Sequence, residues 1–267
     1  MNQKSDPIGI FDSGVGGLSV LREIYKQLPY ENTVYFADHM HFPYSEKPAE
    51  LIKEYVLDII NFLINNKTKI IIIACNVATS IALKNTRNIY KIPIIGVIEP
   101  GAKSAVKVTK NKSIGVLGGK KVEEVYREVH KSLDSDIKTF GYPCPDFAKF
   151  VEQGLSDPKE IQETAYSYLK NIKEKDIDTL IFGCTHYPFL KDFVKEVVGP
   201  NIKLVDPSQE TVESAREILK KHGLLNEKIQ KEAAHIFFIS GNKPDFKFVA
   251  EKLLNEKVDK VVQNIQL

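Results

Sequence analysis

Two cysteines sit in matching contexts. The stretches Ile70-Ile71-Ile72-Ile73-Ala74-Cys75-Asn76 and Thr179-Leu180-Ile181-Phe182-Gly183-Cys184-Thr185 each run from apolar residues into a cysteine and then a polar residue. An unbroken apolar run reads as a strand buried on both faces, as in the middle of a parallel sheet. In open sheets of that kind, ligands sit at the carboxyl ends of the strands. A helical pattern follows Cys75 from Ala78 onward, which places its thiol beside free N–H groups that bind an anion and lower a thiol pKa. Moving a proton off one face of a carbon and back onto the other needs two acid/base groups, one starting as thiolate and one as thiol. A free thiol pKa of about 8.5 lies near enough to neutrality for either state to be prepared locally. The pair points to a racemase or epimerase. A Ser/His/Asp or Cys/His hydrolase leaves one of the two cysteines unexplained. A disulfide switch needs Cα atoms within about 7 Å, which a substrate held between the thiols would prevent.

Other motifs carry less. Pro7 to Phe11 is a short apolar strand ending in Asp12-Ser13-Gly14-Val15-Gly16-Gly17, with a helix after it. As a phosphate cradle the loop is poor, because Ser19 replaces the third glycine and Asp12 puts negative charge at its mouth. An acidic strand tip suits a substrate ammonium, with glycines allowing close backbone approach; a plain tight turn is the competing reading. Asp38-His39-Met40-His41 offers metal-ligating types, yet a catalytic metal site needs three ligands converging in space, and a solvated or substrate-side loop is favoured. Gly115 to Lys120 falls one residue short of a Walker A loop, and Lys121 stands where the magnesium-binding hydroxyl belongs. Cys144, between two prolines, reads as a buried small side chain.

These residues must be positioned by alternating strands and helices. Strands are expected at 7–11, 33–37, 70–73, 113–117, 137–140, 179–182 and 236–239, with a short apolar segment at 92–98 and a strand tip at 203–207. Helical periodicity runs through Leu51–Ile64, Val122–Val129, Phe147–Glu152, Ile161–Ile172, Phe189–Val197 and Phe246–Leu254. Alternation of this kind is α/β with mainly parallel sheets. The expected fold is two similar α/β domains with the active site between them. Residues 1–97 plus 207–267 form the first and 98–206 the second, with the crossing near Glu99-Pro100-Gly101. At 267 residues the chain is long enough for such cores. A formal net charge of +2 gives no electrostatic case for nucleic acid or an anionic membrane. No apolar run approaches the roughly 18 residues of a membrane span, and the first seven residues lack a signal-peptide core. Three cysteines without a Cys-x-x-Cys pair fit neither a disulfide framework nor structural zinc. A soluble, reduced, cytoplasmic protein is expected.

Five motifs together carry a family resemblance that covers essentially the whole chain. They are Gly9-Ile10-Phe11-Asp12-Ser13-Gly14-Val15-Gly16-Gly17-Leu18-Ser19, Phe42-Pro43-Tyr44, Ala74-Cys75-Asn76, Gly96-Val97-Ile98-Glu99-Pro100-Gly101 and Gly183-Cys184-Thr185-His186-Tyr187-Pro188. On these the chain resembles the glutamate racemase family, within the cofactor-independent aspartate/glutamate racemase superfamily. The resemblance implies interconversion of L- and D-glutamate for peptidoglycan synthesis, with no cofactor and no metal, in a homodimer. It implies that Cys75 acts on the α-proton of the D-enantiomer and Cys184 on that of the L-enantiomer. Asp12, Ser13, Tyr44, Ser45, Asn76, Val77, Thr185 and His186 fall on its substrate-binding positions. Asp12, Asp38, Glu152 and His186 join the cysteines on its catalytic positions. The chain departs from the pattern at Val77, where threonine is usual, at Ser45, where glycine is usual, and at Gly118 to Lys121. Fewer hydroxyls are left to hold the substrate. A racemase or decarboxylase of the same fold acting on another small acid, such as aspartate, is one alternative. A non-catalytic binding protein is the other, though it has no use for two acid/base groups at strand tips.

Overall fold

The computed structural model describes residues 3–227 and 232–267. Met1 and Asn2, part of the amino-terminal stretch read above, lie outside them. The chain opens with β1 (Ile8–Asp12), α1 (Leu18–Gln27), β2 (Thr33–Ala37), α2 (Ala49–Asn65) and β3 (Ile70–Ile73). It continues through α3 (Asn76–Ile89), β4 (Ile94–Gly96) and α4 (Ile98–Val108). Next come β5 (Ser113–Leu117), α5 (Lys120–Leu133), β6 (Lys138–Tyr142), α6 (Pro145–Glu152) and α7 (Pro158–Leu169). The remainder is β7 (Thr179–Phe182), α8 (Lys191–Val198), β8 (Lys203–Val205), α9 (Pro207–Lys221), β9 (His235–Ser240), α10 (Phe246–Leu254) and β10 (Lys260–Ile265).

The strands form a six-stranded sheet ordered β10-β9-β2-β1-β3-β4 and a four-stranded sheet ordered β6-β5-β7-β8. Every pairing is parallel. The core order 2-1-3-4 of the first sheet recurs in the second, so β3 and β7 are equivalent strands, and a cysteine stands two residues past each. In both sheets the chain leaves the first strand to one side and returns on the other. That reversal opens a crevice between β1 and β3, and again between β5 and β7, at the strands' carboxyl ends. The duplicated cysteine context read from the sequence is thus a duplicated topological position.

The isoleucine run of β3 explains the first sheet's two-sided core. Side chains alternate across a strand. Ile70 and Ile72 therefore pack with α1, α9 and α10 residues such as Leu21, Val212 and Val249. Ile71 and Ile73 pack on the other face with Val56 and Ile60 of α2 and Ala82 of α3. All four are fully buried, each worth about 1.5–3 kcal/mol relative to exposure. The second sheet packs α4 and α5 on one face through Ala102, Ala105, Val122 and Tyr126. Its other face packs α7 and α8 through Ile161, Leu169, Val194 and Val198.

Two local expectations are refined. Glu99-Pro100-Gly101, beside the expected domain crossing, lies in the first turn of α4. Proline costs little there, because its missing N–H is one of the donors a helix start leaves unpaired anyway. Gly101 then lets α4 approach closely, since a Cβ there would lie 2.9 Å from Pro207 and from the Tyr126 hydroxyl. The second change is β10, which the sequence reading did not contain. It is an edge strand, half-buried with charged and amide side chains interleaved, so it lacks the apolar run that marks the inner strands.

Candidate active site

Cys75 is the N-cap of α3, and Cys184 lies just past β7. Both line one cavity of about 520 Å³, with Ser13, Tyr44, Ser45, Asn76, Val77, Thr185 and His186 also in its wall. The walls come from the strand tips of both sheets, as two repeats facing one site require. Asp12, Asp38 and Glu152 are not among the lining residues; each stands behind the wall and holds something that is.

Around Cys75 the environment is apolar and tight. Its sulfur lies 3.9 Å from the Ser13 hydroxyl oxygen. Burial pushes the Cys75 thiol well up, and the nearby Asp12 carboxylate adds to this. The Ala78 N–H at the start of α3 acts the other way, as a helix N-terminus should, but burial wins. The lowered pKa expected from helix geometry alone is therefore not what this pocket produces. Asn76 is fixed by the Tyr126 hydroxyl, which donates to its side-chain oxygen at 3.3 Å. Tyr126 is a supporting residue that helical periodicity could only mark as core.

Cys184 has a different neighbourhood. Its sulfur lies 3.6 Å from Nδ1 of His186, and Nε2 of His186 lies 2.8 Å from Oε1 of Glu152. The same carboxylate oxygen accepts the Val15 N–H at 2.7 Å. Burial works against charge on His186, yet its contacts with Cys184 and Glu152 prevail and hold the imidazole pKa well above its ordinary value. Glu152 is held below the usual carboxylate range: burial opposes this, but His186, the Val15 N–H and Lys243 outweigh it. An imidazole whose pKa is raised thus lies against the Cys184 sulfur, the partner a thiolate there would need.

The two halves are bonded through these same residues. Thr185 donates to Oδ2 of Asp12 at 2.9 Å, and the Gly14 N–H donates to Oδ1 at 3.0 Å. Burial raises the Asp12 pKa, while His186, Thr185 and Gly14 moderate the rise. The loop glycines turn out to serve protein side chains. A Cβ on Gly14 would fall 2.1 Å from Oε1 of Glu152, and one on Gly16 would fall 2.3 Å from Nδ1 of His186. Close approach was the expected role for this loop, but the approaching groups come from the second sheet's half.

Asp38 anchors the opposite wall. It accepts from the Tyr44 hydroxyl at 2.5 Å, from the Ser240 hydroxyl at 2.6 Å and from Nδ1 of His41 at 2.9 Å. His41 is further stacked on Tyr55, while His39 faces Glu152 at 4.0 Å. The two histidines of the Asp-His-x-His stretch thus diverge. Among the described residues, no group of three or more His, Cys, Asp or Glu side chains is placed to hold a metal ion. Ser45 is exposed and Val77 half-buried, both at the cavity wall. Cys144 also lines the cavity, buried, with its thiol directed to the Tyr142 carbonyl oxygen at 3.6 Å.

Two pseudo-equivalent parallel sheets with one cavity between their strand tips define an α/β protein that handles a small ligand between two halves. The Asp/Glu/Hydantoin racemase family model matches residues 8–215. A glutamate racemase of Thermoanaerobacter pseudethanolicus is 40% identical over 260 residues, covering 97% of each chain. The crystal structure of a glutamate racemase isoform from Bacillus anthracis superposes with a TM-score of 0.93 at 34% identity over 99% of each chain. That of the Francisella tularensis glutamate racemase in complex with D-glutamate gives 0.88 at 30% identity over 97% of each. The chain belongs to the Asp/Glu/Hydantoin racemase family and is an enzyme of the racemase class. Among the described residues, no helix is long and apolar enough to cross a membrane.

Proposed function

We propose that the protein interconverts L- and D-glutamate by two-base proton transfer at Cα, with Cys75 and Cys184 as the two bases. The observation that carries this is the placement of both thiols on equivalent strand tips in the wall of one cavity. Relatives named glutamate racemase over nearly the full length support the substrate. Removal of the L-substrate's α-proton requires a Cys184 thiolate, with the imidazolium of His186 beside it, and a Cys75 thiol to deliver a proton to the opposite face. The high pKa of buried Cys75 suits that protonated role. The D-substrate needs the reverse arrangement. Asn76, Thr185, Ser13, Tyr44, Ser45 and the Val77 backbone offer polar groups for the substrate's carboxylates and ammonium. Asp12, Asp38 and Glu152 act through the side chains they hold. No step in this scheme calls on a metal or an organic cofactor.

The same reading takes residues 1–97 with 207–267, and 98–206, as the two units that close on the substrate. It takes the active form as a cytoplasmic homodimer, which sedimentation velocity would read directly. The biological outlet is D-glutamate for peptidoglycan.

The test is proton NMR of L-glutamate with the purified protein in D2O. Loss of the α-proton signal should accompany optical inversion. Cys75→Ser and Cys184→Ser should each lose net racemisation by several orders of magnitude, because a hydroxyl is a far poorer base than a thiolate at neutral pH. Near-native racemisation by either variant would sink the two-thiol scheme.

A further inference from the structure

Glu152 is a buried carboxylate whose two oxygens live differently. Oε1 accepts two hydrogen bonds, from the Val15 N–H and from His186. Oε2 is buried with no hydrogen-bond partner. A buried, ionised carboxylate needs compensating charge, or it takes up a proton instead. The ammonium of Lys243 lies 3.4 Å from Oε2 and donates to the Glu152 backbone carbonyl at 3.2 Å. Lys243 is only 7% exposed, far from the usual habit of a lysine. It belongs to the segment between β9 and α10, where its N–H bonds the Gln263 side chain of β10 at 3.1 Å. The C-terminal return of the chain therefore places a cation behind the second half's histidine.

We propose that Lys243 is a positioning residue for proton transfer at Cys184: its ammonium keeps Glu152 ionised, and Glu152 in turn keeps His186 protonated and aimed at the Cys184 sulfur. This rests on the two-thiol reading and adds to it a cation that supports the Glu152–His186 pair from behind. The relay runs Lys243–Glu152–His186–Cys184 and crosses from the first sheet's half to the second. The charged and titratable groups around Lys243 are Glu152 of α6, Asp245 of its own segment at 3.5 Å, and His39 of the loop after β2. The titratable groups facing His186 and Cys184 are Asp12 at the end of β1, Cys75 at the start of α3, Cys144 before α6, and Tyr187. Asp245 is more than half exposed, so solvent screens its competition for the ammonium.

The experiment reads the cysteines directly. Iodoacetamide modification of the full chain is followed against pH, with peptide mass spectrometry separating Cys184 from Cys75. Alkylation needs the thiolate, so loss of a nearby cation moves its midpoint to higher pH. Lys243→Met removes both charge and donor; Lys243→Gln removes the charge but keeps an N–H for the Glu152 carbonyl; Lys243→Arg keeps the charge. In Met and Gln variants, Cys184 alkylation below the wild-type midpoint should fall about threefold or more, a rise of about half a pH unit. Cys75 should not move, and Lys243→Arg should track the wild type. A folded Lys243→Gln with the wild-type Cys184 profile overturns the proposal. So does an equal shift at both cysteines, or an Arg variant that behaves like Gln. Failure of Lys243→Gln to fold, with its donor kept, would make the lysine purely structural and likewise overturn it. If the wild type does not racemise glutamate but the Lys243 effect on Cys184 appears, the functional reading fails and this assignment stands.

Discussion

At the scale of single residues, the two thiols are chemically unlike although their strand tips are equivalent. Cys75 is buried among apolar groups near the Asp12 carboxylate, and Cys184 contacts an imidazole whose pKa its neighbours raise. On the two-thiol scheme the two protonation states exchange in each turnover, so a resting asymmetry of this kind shifts kcat and KM for each direction in parallel. The departure at Val77 is the residue-scale feature most open to test. Its side chain lines the cavity, and valine fills a threonine's volume without a hydroxyl to donate. A charge-assisted hydrogen bond to a substrate carboxylate is worth about 1.5–3 kcal/mol. We expect Val77→Thr to lower KM for glutamate about threefold or more, a conservative share of that energy. Because the enantiomers are of equal free energy, kcat/KM must remain equal for the two directions in every variant. An unchanged KM, with Ser45→Gly equally silent, would reject the idea that Ser45 supplies the missing hydroxyl.

Elements were legible where burial was two-sided and illegible where it was mixed. The β3 and β7 runs announced themselves, because strands with both faces covered need no polar alternation. Edge strand β10, with Lys260, Gln263 and Asn264 among its six residues, presented no such signal. The α4 start carried no helical signal because Pro100 and Gly101 punctuate most chains; a helix's first turn tolerates the proline, and close packing against Pro207 and Tyr126 accounts for the glycine. Lys243, after Ser-Gly-Asn, looks like any solvated turn residue; its ammonium is buried against Glu152, 91 residues away in sequence. Helix α5 hides a similar case. His130 is fully buried, with Nδ1 2.8 Å from the Thr139 hydroxyl and Nε2 unpartnered. Burial lowers its pKa from 6.5 to about 4. The folded state thus binds a proton less readily than the unfolded one, so the stability is intact above pH 6.5 and is lost as pH falls toward 4. Linkage puts the loss at about 2 kcal/mol by pH 5. His235, also lowered to about 4 by burial, adds a loss of the same sign. Urea unfolding at pH 7.5 and pH 5 should show the stability gap narrowing in His130→Gln relative to wild type. An identical gap would mean that His130 is protonated without cost.

Across the whole molecule, the two ends of the strands carry different duties. The carboxyl ends bear the cavity, the cysteines and every hydrogen bond described between the halves at the site. At the opposite end, Lys69 at the entry to β3 forms a fully buried ion pair with Glu31. Its ammonium also donates to the Leu224 carbonyl at 3.0 Å, and Glu31 accepts the Asn226 N–H at 2.9 Å. The pair therefore ties the base of the first sheet to the segment that follows α9. Burial raises the Glu31 pKa and lowers that of Lys69, opposed in each case by the partner, so both charges depend on the pairing. Breaking such a pair from one side typically costs about 3–5 kcal/mol, because a charge is left buried and unpaired. A domain's total stability is only about 5–15 kcal/mol, so Lys69→Met should lower the urea midpoint severely. Lys69→Met combined with Glu31→Gln leaves no unpaired charge and keeps an acceptor for Asn226, so it should recover a large part of that loss. Neither change touches the cavity. Where the variants remain folded, kcat/KM should match the wild type. A Lys69→Met protein that is as stable as wild type, or stable but inactive, would break the separation of the stabilising end from the chemical end.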